Sequence, residues 1–128
     1  GPGSLTSAHA VIVGRLSWDH AGNSVASVGD ATGDGVVDVL VGAYIEDSGA
    51  LNAGAAFMVS GPITGTRYLT NADAGFIGEA ESDLAGWSVA GPGDVDGDGL
   101  GDILVGAPQN DNTGSDAGAA YVLYAAGL

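Results

Sequence analysis

Asp94-Val95-Asp96-Gly97-Asp98-Gly99-Leu100-Gly101-Asp102 carries carboxylates at its first, third, fifth and ninth places. A hard dication such as Ca²⁺ takes about six to eight oxygens at roughly 2.3 to 2.6 Å, so a short loop must fold its oxygens onto one point. Asp94, Asp96 and Asp98 supply alternate carboxylates, Gly99 permits the sharp reversal, the Leu100 carbonyl turns inward and Asp102 closes the ring. Without a cation, unit charges about 4 Å apart repel by about 4 kcal/mol at an effective dielectric near 20. A plain solvated turn is the alternative, since Asp and Gly also make ordinary turns. A second copy argues against it. Asp30-Ala31-Thr32-Gly33-Asp34-Gly35-Val36-Val37-Asp38 repeats the pattern, with Asp30, Thr32, Asp34, the Val36 carbonyl and Asp38 as its ligand set. Thr32 leaves this loop one charge short, so two Ca²⁺ per chain are expected, the tighter in the second loop.

The two loops belong to a longer repeat. Leu5-Thr6 aligns with Leu69-Thr70, an offset of 64 residues that then holds without a gap. Gly14 falls on Gly78, Asp19 on Asp83, Ser24-Val25-Ala26 on Ser88-Val89-Ala90, Leu40-Val41-Gly42-Ala43 on Leu104-Val105-Gly106-Ala107, and Ala53-Gly54-Ala55-Ala56 on Ala117-Gly118-Ala119-Ala120. Periods of this order mark solenoids, propellers or arrays, whose units bury their faces against one another. The runs inside a unit are short, β-prone and punctuated by Gly, which predicts strands. They lie near 24–28, 37–43, 55–60 and 74–78 in the first unit, and near 88–91, 101–107 and 119–124 in the second. The fourth strand of the second unit is missing, while an orphan of that type stands at 10–14. The expected fold is therefore all-β, with two four-stranded antiparallel units circularly offset by one strand. Polar linkers at 45–52 and 109–116 fall at the end opposite the acidic loops and read as solvated turns.

Composition narrows the partners. A chain of 128 residues is at most one domain, and its formal charge of -14, with Arg15 and Arg67 its only strong bases, argues against nucleic acid and anionic membrane surfaces. No apolar run has the length of a membrane span. The absence of Cys excludes disulfides and thiolate metal sites. Ca²⁺ loops of this kind favour an extracellular setting, where sites with affinities around 10⁻⁴ to 10⁻³ M stay loaded. Residues 1–4, Gly1-Pro2-Gly3-Ser4, look like the scar of a cleaved expression tag on a segment of something longer.

The run Ala85-Gly86-Trp87-Ser88-Val89-Ala90, the acidic loop, and Ile103-Leu104-Val105-Gly106-Ala107-Pro108 together resemble the FG-GAP repeat of the N-terminal β-propeller of integrin α subunits and its bacterial relatives. Residues 5–68 resemble one such repeat and residues 69–128 a second. Ala21 and Ala85 stand where the family usually has Phe, Tyr44 replaces the Pro of Gly-Ala-Pro, and Thr32 replaces an acidic or amide ligand. The resemblance implies four-stranded propeller blades, structural Ca²⁺ on one face, and an extracellular adhesion or protein-interaction scaffold with a protein ligand on the other. It implies about seven blades in a family propeller, and two blades cannot close a ring. Open edges pair with other chains. A homo-oligomer is therefore expected, in which strand 10–14 of one chain completes the second blade of another; three chains would give six blades and four chains eight, an open, edge-swapped dimer being the alternative.

Other readings of the same residues fare worse. An EF-hand requires Glu at the twelfth loop position and a following helix, whereas Val105 and Val41 stand there. Mg²⁺ prefers tight octahedral sites with retained waters. Catalysis has little to work with: His9 and His20 have Asp73 and Leu84 as counterparts, and nucleophile-elbow and phosphate-loop motifs are lacking. The chain is expected not to be an enzyme, the alternative function being a non-catalytic accessory module of a secreted hydrolase. Trp87 is expected to pack between blades and Trp18 to be exposed.

Overall fold

A computed structural model describes residues 3–126. Gly1 and Pro2, half of the expected tag scar, lie outside the described residues, whereas Ser4 caps a 3₁₀ turn at Leu5–Ser7 by accepting the Thr6 N–H at 3.2 Å. Nine strands follow among the described residues: β1 (Ala10–Val13), β2 (Ser24–Gly29), β3 (Asp38–Ala43), β4 (Ala55–Val59), β5 (Gly65–Tyr68), β6 (Ala74–Ile77), β7 (Ser88–Gly93), β8 (Asp102–Ala107) and β9 (Ala119–Leu123). Eight of these fall on strands read from the sequence, with ends that differ by one or two residues.

Three sheets result. β2-β3-β4-β6 is a four-stranded antiparallel blade, and β7-β8-β9 is an antiparallel blade that has three strands among the described residues. The repeat offset survives in the registers. Val41 faces Phe57 in the first blade as Val105 faces Tyr121 in the second, and Gly42 faces Ala56 as Gly106 faces Ala120. A 3₁₀ turn at Leu69–Asn71 likewise stands one offset from the turn at Leu5–Ser7.

The third sheet departs from expectation. β1 pairs in parallel with β5, Ala10 opposite Gly65 and Val13 opposite Tyr68, so one of its two edges is occupied within the chain. The sequence reading left β5 out. Gly65-Thr66-Arg67-Tyr68 is only four residues long and lacks apolar alternation, and its counterpart one offset earlier falls on residues 1–4.

Two apolar clusters hold the sheets together. Leu40, Ala56 and Met58 of the first blade pack against Ile103, Val105 and Ala107 of the second, with Phe76 and Tyr121 at the margin. The opposite face of the first blade carries Val41, Ala55, Phe57 and Val59, covered in part by Ile12 of β1 and by Ile63 and Leu69. Small residues let the blades approach closely. A Cβ on Gly101 would lie 1.9 Å from the Val28 carbonyl oxygen, and one on Gly86 2.0 Å from that of Ala55.

Candidate metal centre

Each acidic loop joins the first two strands of its blade, β2 to β3 and β7 to β8. The first Asp organises the turn. Asp94 accepts the N–H groups of Gly97 (2.8 Å), Asp98 (3.0 Å) and Gly99 (2.7 Å), and Asp30 accepts those of Gly33 (2.7 Å), Asp34 (3.1 Å) and Gly35 (2.8 Å). Gathering three donors requires the chain to reverse twice, at Gly97 and Gly99 with φ +81° and +87°, and at Gly33 and Gly35 with φ +82° and +83°. L side chains rarely tolerate that backbone.

The ninth-place Asp has a different surrounding. Asp38 and Asp102 are buried. Asp38 accepts from Ala31, Thr32 and Gly61 N–H at 2.9, 3.0 and 3.0 Å, and Asp102 from Val95 and Ala125 N–H at 2.7 and 2.9 Å. Each therefore ties the base of its loop to the chain leaving the third strand. Asp34 and Asp98 turn back onto their own loops, accepting from Val36 and Leu100 N–H at 2.9 Å each.

In the second loop Asp94, Asp96 and Asp102 each offer a carboxylate oxygen, all within 4.8 Å of one another. Asp98 is outside this trio. Among the described residues no other three carboxylates or imidazoles converge so closely, and in the first loop Thr32 occupies the place of Asp96. The trio's charge is unevenly supported. The Gly99 N–H above all, working against desolvation, holds the Asp94 carboxyl below the ordinary 3.8, as the Gly35 N–H does for Asp30. Desolvation and then the neighbouring Asp94 push Asp96 up. A hard dication fits this donor set: three carboxylates converge, and one of them is held in a place that disfavours its charge. The Val36 and Leu100 carbonyls expected as ligands lie in the same loops, where the N–H groups of these residues bond Asp34 and Asp98 and the Leu100 side chain packs against the core between the blades.

The linkers at 45–52 and 109–116 read from the sequence as solvated turns, and the structure corrects this at Glu46 and Asn110, which are buried beside the likewise buried Asp19 and Asp83 of the preceding segments. Arg15 donates to Glu46 at 3.2 Å, and Asn110 Nδ2 donates to Asp83 at 2.8 Å. The offset contained the signal, because Asp19 matches Asp83 and Glu46 matches Asn110. Trp87 meets Tyr44 of the first blade edge to face at 4.8 Å, as expected of a residue between blades, although about half its surface stays open. Trp18 is exposed, and His20 lies against Tyr44.

Comparison with known proteins matches residues 85–123 to the FG-GAP repeat. The chain is 38% identical over 103 residues to integrin alpha pat-2 of Caenorhabditis briggsae, and 37% identical over the same length to that of Caenorhabditis elegans. It is 32% identical over 107 residues to integrin alpha-5 of Xenopus laevis. These alignments cover 79 to 82% of the chain but only 8 to 10% of the relatives.

Proposed function

The chain carries an integrin-like FG-GAP repeat, and on that premise we propose that it is a Ca²⁺-binding β-propeller segment serving as an extracellular adhesion or protein-interaction scaffold. The observation that carries this reading is the convergence of Asp94, Asp96 and Asp102 in the loop between the first two strands of a blade. The ion's role is structural. It would neutralise carboxylates that otherwise repel, on a loop whose ninth-place Asp clamps the blade's base. Asp30, Thr32, Asp34, Asp38 and the Val36 carbonyl form the weaker site, and Asp98 and the Leu100 carbonyl complete the stronger one after a local turn of their groups toward the ion.

Residues 5–68 and 69–128 act as two repeats in this scheme, and copies of the chain associate through exposed blade edges. Among the described residues no helix is long and apolar enough to cross a membrane. A protein ligand is the fitting partner for the linker face, and no catalytic role is proposed. The test is thermal melting with Ca²⁺ and with EDTA. An ion bound only by the folded chain adds about 2.7 kcal/mol at a hundredfold excess over its dissociation constant, so a clear drop in Tm with chelator is expected. Identical melts would refute the reading.

A further inference from the structure

The two blades are unequally covered, and the inequality follows the 64-residue offset. Leu40 and Met58 of the first blade are 0% and 2% exposed beneath the second blade. Their counterparts are Leu104, half-buried, and Val122, 53% exposed, with Ala120 open beside them. The opposite faces differ the other way only at their first two strands, because Val41, Ala43, Ala55, Phe57 and Val59 of the first blade are already buried. Ile103 is fully buried and Val89 half-buried, whereas Val39 is half-buried and Val25 is 64% exposed. The open face of the second blade is thus the kind of face the first blade buries, and the part of the first blade's other face left open at Val25 and Val39 matches what the second buries at Val89 and Ile103.

The free edges correspond in the same way. β4 receives β6 through the Gly54 and Met58 carbonyls, which accept the Gly78 and Asp73 N–H groups at 2.8 and 2.9 Å. The counterpart edge, on β9, has no strand beside it among the described residues. β1 bonds β5 through its odd-numbered residues, since the Gly65 N–H donates to the His9 carbonyl at 3.1 Å and Ala10 stands opposite Gly65. Backbone groups alternate sides along a strand, so those of Ala10, Ile12 and Gly14 face away from β5. Their counterparts Ala74 and Phe76 stand opposite Met58 and Ala56 of β4 and the Gly78 N–H bonds it, so the correspondence runs from Ala10 onward; Asp73, the counterpart of His9, bonds β4 as well. Ile12 lies against the first blade as Phe76 lies against the second, so both strands present that edge in the same sense.

Resting on the propeller reading above, we propose that copies of this chain join head to tail, β1 of one copy pairing antiparallel with β9 of the next in one register. Transposing the β4–β6 register by the offset puts Val13 opposite Ala119, Ile12 opposite Ala120, Val11 opposite Tyr121 and Ala10 opposite Val122, with the Gly14 N–H on the Gly118 carbonyl. A second copy is the occupant because this chain itself supplies both halves, the strand with the free edge and the half-covered face beside it. Such a contact is heterologous and can close into a ring.

The seam between copies differs from the seam within a chain at one end. Within the chain Gly91 and Gly101 have no room for a Cβ, which would lie 2.1 and 1.9 Å from the Ser27 and Val28 carbonyl oxygens. The next copy brings Ser27 and Val37 to those places, so the cation-loop end stands wider there. At the linker end the pair that bonds within the chain, Ser24 Oγ to the Gly86 carbonyl at 2.8 Å, recurs between copies as Ser88 and Gly22.

The absence of Cys makes the register directly testable. The double variant Val13→Cys with Ala119→Cys is oxidised in Ca²⁺ buffer and run without reductant, beside Val11→Cys with Ala119→Cys. Ladders of linked copies are expected from the first and at least tenfold less from the second. Light scattering on the unmodified chain is expected to give a multiple of the monomer mass, and Val122→Asp, a change at an exposed site of the single chain, is expected to reduce it to the monomer with its cooperative melt retained. A monomer in saturating Ca²⁺, or assembly with the second variant linking as well as the first, overturns the proposal. Ca²⁺ binding measured on the same samples keeps the two readings apart, since a Ca²⁺-loaded monomer would remove only the assembly.

Discussion

The Gly99 amide donates to Asp94 Oδ2 at 2.7 Å, and one repeat earlier the Gly35 amide donates to Asp30 Oδ2 at 2.8 Å. Each bond closes a loop through a glycine at positive φ, so the first Asp of each loop shapes the turn as well as offering a ligand. Asp96 does neither job of shaping; its one backbone contact is the Asp98 N–H at 3.4 Å.

Replacing these two residues therefore separates shape from charge. Asp94→Ala is expected to lower Tm even in EDTA, because three N–H groups lose their acceptor, and to abolish the Ca²⁺ response of its loop. Asp96→Ala should leave the EDTA melt nearly unchanged and remove most of that response. Melting curves of both variants with and without Ca²⁺ check the split, and equal losses in EDTA would contradict it.

Arg15 is the partner of a fully buried carboxylate. Glu46 also accepts the Ser48 N–H at 2.9 Å and the Ser48 hydroxyl, and among the described residues the one cation that meets its charge is the guanidinium at 3.2 Å. Arg15→Ala should cost about 1 to 3 kcal/mol, the usual penalty for leaving a buried polar group short of its partner. Adding Glu46→Gln should recover part of the loss, as the neutral Asn110 at the counterpart position suggests. Urea denaturation of the single and double variants measures both effects.

Desolvation raises the Asp19 pKa above 3.8, with the Glu46 and Asp47 charges adding to it and the Leu16 N–H and Arg15 opposing. The folded chain then holds this proton more tightly than the unfolded chain. Stability from this group is greatest below 3.8 and is lost as pH rises through the folded value, so at neutral pH Asp19 costs stability. Asp19→Asn, which keeps an acceptor for the Leu16 N–H, bonded now at 3.0 Å, should flatten that slope and raise stability at pH 7. Denaturation in EDTA between pH 3.5 and about 7 compares the two chains.

Strands and repeat were legible because the information is local and stated twice. Ser24-Val25-Ala26 and Ser88-Val89-Ala90 each begin the first strand of a blade, and the Gly-rich loops after them read as turns. What stayed hidden depends on distant contacts. β5 has no copy to betray it, and β1 gains its partner fifty-five residues further on, Gly65 against Ala10. Asp102 reads from spacing as the last member of a ring of oxygens, yet its burial against the Ala125 N–H follows from where the chain returns after β9. Glu46 and Asn110 read as solvent-facing because their linkers are rich in Asp, Asn and Ser, and the one mark that set them apart is their shared place in the repeat, one offset from each other as Asp19 is from Asp83.

Calorimetric Ca²⁺ titration of the intact chain, repeated on Asp96→Ala, tests most directly whether the acidic loops are cation sites. Two ions per chain are expected, the tighter lost in the variant while the weaker remains. Absence of binding to the intact chain at millimolar Ca²⁺, or an undiminished tight site in Asp96→Ala, would contradict it.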